Sequence, residues 1–123
     1  MENTEDFAEK TVSSFELVRV YSLPELPPGS RKVVHIDTGN VLLLNIDGEI
    51  FAISSLCPHA GGHLKYGYLE GYTIECPLHY WPFDVRDGTL VGMNQASLFE
   101  YQLDIYPVQL QGDQIYLKLA RPS

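Results

Sequence analysis

The chain has 123 residues, 45% hydrophobic and 20% charged, enough for one soluble domain with a real core. A net charge of −8 at pH 7 and a pI near 4.8 set nucleic acid aside as a partner, because phosphate binding needs clustered Lys and Arg. The longest clearly apolar run, Val41-Leu42-Leu43-Leu44, is far too short to cross a bilayer, and Met1–Asp6 has neither a basic stretch nor a following apolar one, so a cytoplasmic protein without a membrane segment is expected.

Residues 1–14 are polar, acidic and aperiodic and read as a flexible tail, with a single domain over 15–123. Phe15 to Val20 alternates as a strand and leads into a proline-rich connection, Leu23 to Gly29. A second strand runs from Arg31 to Ile36, and Gly39-Asn40 turns the chain into a third, Val41 to Ile46. Asp47-Gly48 is a two-residue hairpin signal, with Glu49 to Ile53 returning. Near the C-terminus, Leu103 to Leu110 is strand-like but holds Pro107, which places it at a sheet edge or a bulge. After a turn at Gln111-Gly112-Asp113, Gln114 to Leu119 alternates with Ile115, Leu117 and Leu119 on one face. No helical stripe is sustained anywhere. The expected class is all-β, an antiparallel sandwich or barrel. Its basal part is about 15–54 and 94–123, and residues 55–93 form a loop-rich insertion that holds six of the ten glycines and the only Trp.

The insertion carries the chemistry. Cys57-Pro58-His59 is followed, after sixteen intervening residues, by Cys76-Pro77-Leu78-His79, and these are the only two cysteines. Two facing loops, each supplying a thiolate and an imidazole, suit a [2Fe–2S] cluster with Cys57 and Cys76 on one iron and His59 and His79 on the other. Pro58 and Pro77 restrain the backbone after each Cys. Gly61 and Gly62 allow close approach of backbone N–H groups to the bridging sulfides. A tetrahedral zinc site uses the same ligand types, although zinc modules usually pair like ligands within a loop, whereas unlike ligands are paired here. A Cys57–Cys76 disulfide is the third option, disfavoured by the neighbouring histidines.

The stretch Cys57-Pro58-His59-Ala60-Gly61-Gly62-His63-Leu64, with Gly67-Tyr68-Leu69-Glu70-Gly71, Cys76-Pro77-Leu78-His79 and Phe83-Asp84-Val85-Arg86-Asp87-Gly88, resembles the Rieske-type ferredoxins of bacterial multicomponent oxygenases. The resemblance runs from about Phe15 to Leu119, with its specificity in residues 57–88. It implies the Rieske fold, an antiparallel β basal domain with an inserted cluster-binding subdomain. It also implies Cys57 and Cys76 on an inner iron and His59 and His79 on an outer iron near the surface. The partners it implies are a flavin-dependent ferredoxin reductase and a terminal oxygenase, met transiently by a monomeric one-electron carrier that is not itself an enzyme.

The high-potential Rieske proteins of bc-type complexes add two disulfide cysteines, which fall at Gly62 and Leu78 here. They also add a Ser and a Tyr hydroxyl, which fall at Trp81 and Phe83. Without those hydrogen bonds the reduced cluster is less stabilised, so the expected potential lies near the low end, about −150 mV. Glu70 and Asp84 are candidates for lowering it further.

Tyr80 follows His79 where a small residue is frequent. With Pro77 and Trp81 it either forms an apolar rim for partner docking or packs inward, packing being favoured for Trp81. His63 reads as an exposed loop residue, and His35 receives no role. A cluster-bearing small subunit of an assimilatory nitrite reductase is the alternative function, and a non-redox zinc module a remoter one. A Rieske terminal oxygenase needs a second, iron-binding domain that the length does not allow.

Overall fold

A computed structural model describes residues 15–58, 61–78, 80–92 and 102–120. The acidic stretch 1–14 lies outside the described residues, as do His59 and His79. Among the described residues ten strands appear: β1 (Phe15–Ser22), β2 (Arg31–Ile36), β3 (Gly39–Ile46), β4 (Glu49–Ser54), β5 (Tyr68–Glu70), β6 (Thr73–Glu75), β7 (Pro82–Asp84), β8 (Ile105–Tyr106), β9 (Val108–Gln111) and β10 (Gln114–Ala120). All pairings are antiparallel, and the only helical turns among the described residues are 3-10 turns at Leu23–Glu25 and Leu64–Tyr66. Among the described residues no helix is long and apolar enough to cross a membrane.

The strands form three sheets, ordered β1-β10-β9, β2-β3-β4-β8 and β5-β6-β7. The four-stranded sheet is the middle layer, and β3 explains why. Val41, Leu42, Leu43 and Leu44 are all fully buried. Side chains alternate across a strand, so a continuous apolar run requires cover on both faces. Val41 and Leu43 pack with Ile115 and Leu117 of β10, whereas Leu42 and Leu44 pack with Ile74, Phe83 and both cysteines. The small sheet β5-β6-β7 is thereby docked on the core through residues close in sequence to Cys76.

The Asp47-Gly48 hairpin forms with positive φ at both residues, 53° and 98°, the geometry of a two-residue turn matched to strand twist. Three expectations are refined. The turn before β3 lies at residues 37–38, and Gly39 already belongs to the strand. Leu26, read as connection, is fully buried, and its carbonyl accepts a 2.8 Å hydrogen bond from the buried Asn45 amide. A local apolar residue inside a Pro-rich loop gives no periodic signal, so its burial was not legible. The run around Pro107 divides between two sheets, because Pro107 cannot donate to either ladder. β8 pairs with β4 before it, β9 pairs with β10 after it, and both are edge strands.

A side-chain network ties the small sheet to β4. The Tyr72 hydroxyl donates to Glu49 Oε1 at 2.6 Å, and its ring stands edge-on to Phe51 with centroids 5.7 Å apart. The Arg86 guanidinium lies over the same ring at 4.3 Å and makes a forked pair with Asp84 at 2.8 and 3.0 Å. The Glu49 hydrogen bond, then its charge, hold the Tyr72 phenol above its ordinary range, while the Arg86 hydrogen bonds hold the Asp84 carboxyl below its own.

Gly67 joins the Leu64–Tyr66 turn to β5 with an ordinary φ of −75°, so its need for glycine is steric. A Cβ there would stand 2.2 Å from the Glu75 carbonyl oxygen, a backbone atom that cannot swing aside. Gly67→Ala should therefore lower the unfolding free energy by about 1–3 kcal/mol or more, read by urea denaturation.

Candidate metal centre

The two cysteine loops close in the same way. The Cys57 N–H donates to the Gly62 carbonyl at 2.8 Å, and the Gly61 N–H donates back to the Cys57 carbonyl at 2.8 Å. The Cys76 N–H donates to the Trp81 carbonyl at 3.0 Å, and the Tyr80 N–H to the Cys76 carbonyl at 2.7 Å. Each loop turns back through a left-handed residue four positions after its Cys, Gly61 with φ 73° and Tyr80 with φ 60°. His59 and His79 fall in sequence inside these two closed turns, but outside the described residues.

Both cysteines are core residues. Cys57 is 2% exposed and Cys76 is 0%, they share one hydrophobic cluster with Leu42, Leu64, Ile74 and Phe83, and no disulfide joins them. The loops meet at Gly62, which is buried. A Cβ on Gly62 would lie 3.0 Å from Cys76 Sγ and 3.1 Å from Leu78 Cγ. Positions 62 and 78, where high-potential Rieske proteins carry a disulfide, are thus adjacent here and filled by a glycine and a leucine.

The remaining candidates divide by burial. Phe83 is fully buried, and Trp81 is half-buried against the same core. Neither has a hydroxyl to offer a sulfide. Pro77 is half-buried, whereas Leu78 is 55% and Tyr80 70% exposed. His63 is exposed and bridges Leu56 across the base of the first loop. His35 lies far along the chain on β2, with Nδ1 2.6 Å from Asn40 Oδ1. Asp84, a candidate for lowering the potential, has its charge offset locally by Arg86. Glu70 is exposed on β5 and shares a register row with Thr73 and Asp84.

A family model described as the Rieske [2Fe-2S] domain matches residues 16–107. The chain belongs to the Rieske [2Fe–2S] family. Among curated Rieske relatives it is 34% identical over 103 residues to the biphenyl dioxygenase ferredoxin subunit of Pseudomonas sp. strain KKS102, covering 83% of this chain and 91% of that one. It is 32% identical over 99 residues to the ferredoxin component of the naphthalene 1,2-dioxygenase system of Pseudomonas aeruginosa, covering 80% and 91%. The solved ferredoxin of carbazole 1,9a-dioxygenase from Nocardioides aromaticivorans IC177 superposes with a TM-score of 0.71 at 31% identity, over 86% of this chain and 98% of that one. The fold is also shared by a putative NADH-dependent nitrite reductase small subunit from Mycobacterium tuberculosis, with a TM-score of 0.74 at 19% identity over 88% and 98% of the two chains.

Family membership implies one Rieske-type [2Fe–2S] cluster. The described residues fit it. Two buried thiols share one apolar cluster, in matched loops, and the space beside Cys76 Sγ is one that any side chain at position 62 would fill.

Two features of the site had no place in the sequence reading. The left-handed conformation of Tyr80 was visible in principle, by aligning the loops on their cysteines so that Tyr80 falls opposite Gly61. The glycine requirement at Gly67 arises from β6, eight positions away, and had no local signal.

A left-handed conformation costs a non-glycine residue about 1–2 kcal/mol, and the exposed Tyr80 ring recovers little of it by burial. Tyr80→Gly should raise the unfolding free energy by about 1 kcal/mol, the gain being reduced by the greater freedom of glycine in the unfolded chain. Thermal unfolding of the two proteins checks this.

Proposed function

We propose that the chain is a low-potential Rieske ferredoxin, a monomeric cytoplasmic carrier that takes single electrons from a flavin-dependent ferredoxin reductase and delivers them to a terminal oxygenase. The observation that carries this reading is the pair of matched loops meeting at Gly62, each with a buried Cys and a His inside its turn. Cys57 and Cys76 would hold the inner iron, and His59 and His79 the outer one. The cluster supplies reversible one-electron storage, a ferric iron becoming ferrous.

The chain's own residues do the rest. Leu42, Leu64, Ile74 and Phe83 keep water from the two thiolates. The glycines at 61 and 62 give the loops their close approach, and Phe83 and Trp81 leave the sulfides without the two hydroxyl donors that raise the potential in other Rieske proteins. Pro77 and the exposed Tyr80 form the docking rim, with Trp81 packed beneath it. Donor and acceptor would use the same end of the molecule in turn, so each contact has to be weak and brief. A ferredoxin of this fold, 20% identical, is known in a complex with the oxygenase of carbazole 1,9a-dioxygenase, which supports such an encounter. The nitrite reductase reading rests on shared fold alone, and stable co-purification with a large sirohaem subunit would favour it.

An EPR-monitored redox titration tests the proposal. The expected result is a rhombic reduced-state signal of a mixed His/Cys cluster with a midpoint near about −150 mV. Protein that carries only zinc and shows no signal at any potential would overturn it. His59→Ala and His79→Ala should each abolish the signal, whereas His63→Ala should retain it. Loss of the cluster in the His63 variant would sink the ligand assignment.

A further inference from the structure

Arg31 opens β2 in the middle sheet, yet its side chain ends on the ligand-bearing part of the molecule. Nη1 lies 2.8 Å from the Gly67 carbonyl, 3.0 Å from that of Lys65 and 3.3 Å from that of Leu64. Two N–H groups are therefore shared among three acceptors, with Leu64 the most distant. Among the described residues no carboxylate pairs with Arg31, and burial alone depresses its pKa. A guanidinium stays protonated under any ordinary condition, so this is a half-buried positive charge satisfied only by carbonyl dipoles.

The carbonyls it holds lie on the arm that leaves the first loop, and that arm packs on the strand entering the second. The first loop stands on a short ladder: Cys57 pairs with Gly62, Leu56 bridges His63, and the Leu64 N–H donates to the Ser55 carbonyl at 2.8 Å. Leu64 ends the returning arm of that ladder, and its side chain is fully buried beside both cysteines. Gly67 packs directly on the Glu75 carbonyl, and Glu75 immediately precedes Cys76. Arg31 thus grips the point where the arm leaving the first loop presses on the strand entering the second.

We propose that Arg31 is a positioning residue for the [2Fe–2S] cluster, setting the two ligand loops against each other and, through its charge, holding the reduction potential above the value its ligands alone would set. Reduction adds one negative charge to the site. A fixed, half-buried cation favours that charged form, and it does so more strongly than a fully exposed cation screened by water and salt. Lysine would keep the charge but lose the planar fork that spans several carbonyls. Glutamine would keep a donor but lose the charge.

The test compares Arg31→Gln, Arg31→Lys and Lys32→Gln holoproteins by EPR-monitored redox titration and by the rate of cluster bleaching at raised temperature. Lys32 is the adjacent residue on the same strand, directed to the Tyr21 ring, so it controls for the loss of any one positive charge. The expected result is a lower midpoint for Arg31→Gln, a midpoint near wild type for Arg31→Lys and Lys32→Gln, and bleaching at least two-fold faster in both Arg31 variants. An unchanged midpoint in Arg31→Gln, or an equal fall in Lys32→Gln, would overturn the electrostatic role. Bleaching at the wild-type rate in Arg31→Lys would overturn the positioning role, and this arm stands even where Arg31→Gln fails to assemble. The wild-type signal in the same titration shows independently whether the cluster is present, so failure of this inference is separable from failure of the ferredoxin reading.

Discussion

The structure depends on the burial of β3 from both sides. Four consecutive apolar residues, Val41 to Leu44, are removed from water completely, and the even members face a different layer from the odd ones. Removing any one of these leucines would cost about 2–5 kcal/mol by the usual scale for core truncations. The same requirement places the small sheet. Leu42 and Leu44 need cover, and Ile74, Phe83 and Leu64 supply it, bringing Cys57 and Cys76 into the same apolar cluster. The thiols are therefore part of the hydrophobic core and owe their placement to it.

Around that core the two cysteine loops are local repeats of one solution. A Cys whose carbonyl accepts from the residue four positions on, and whose N–H donates to the residue five positions on, makes a closed turn wherever that fourth residue takes positive φ. Glycine does this without strain in the first loop. Tyrosine does it at a cost in the second, where its ring is exposed.

The charges near the site are arranged unevenly. Asp84 is answered by Arg86 within the small sheet, whereas Arg31 is answered by carbonyls across the boundary with the middle sheet. The acidic excess of the whole chain does not describe this local balance. A net charge acts at long range, whereas a half-buried cation acts on what lies close to it.

Sequence alone determined the paired Cys/His motif, the all-β class, the Asp47-Gly48 hairpin and the single-faced β10, because each is written in residues that are neighbours or that follow a strand period of two. The four-residue apolar run of β3 is visible in the sequence too, but its cover on both faces comes from the stacking of the sheets. Tertiary structure decided what lies between layers: Leu26 in the core, the run at Pro107 divided between two sheets, Gly67 against Glu75, and Arg31 on carbonyls 33 to 36 residues away. The physical reason is that steric and hydrogen-bond contacts between layers depend on how the sheets stack. No periodicity along a single strand encodes that stacking.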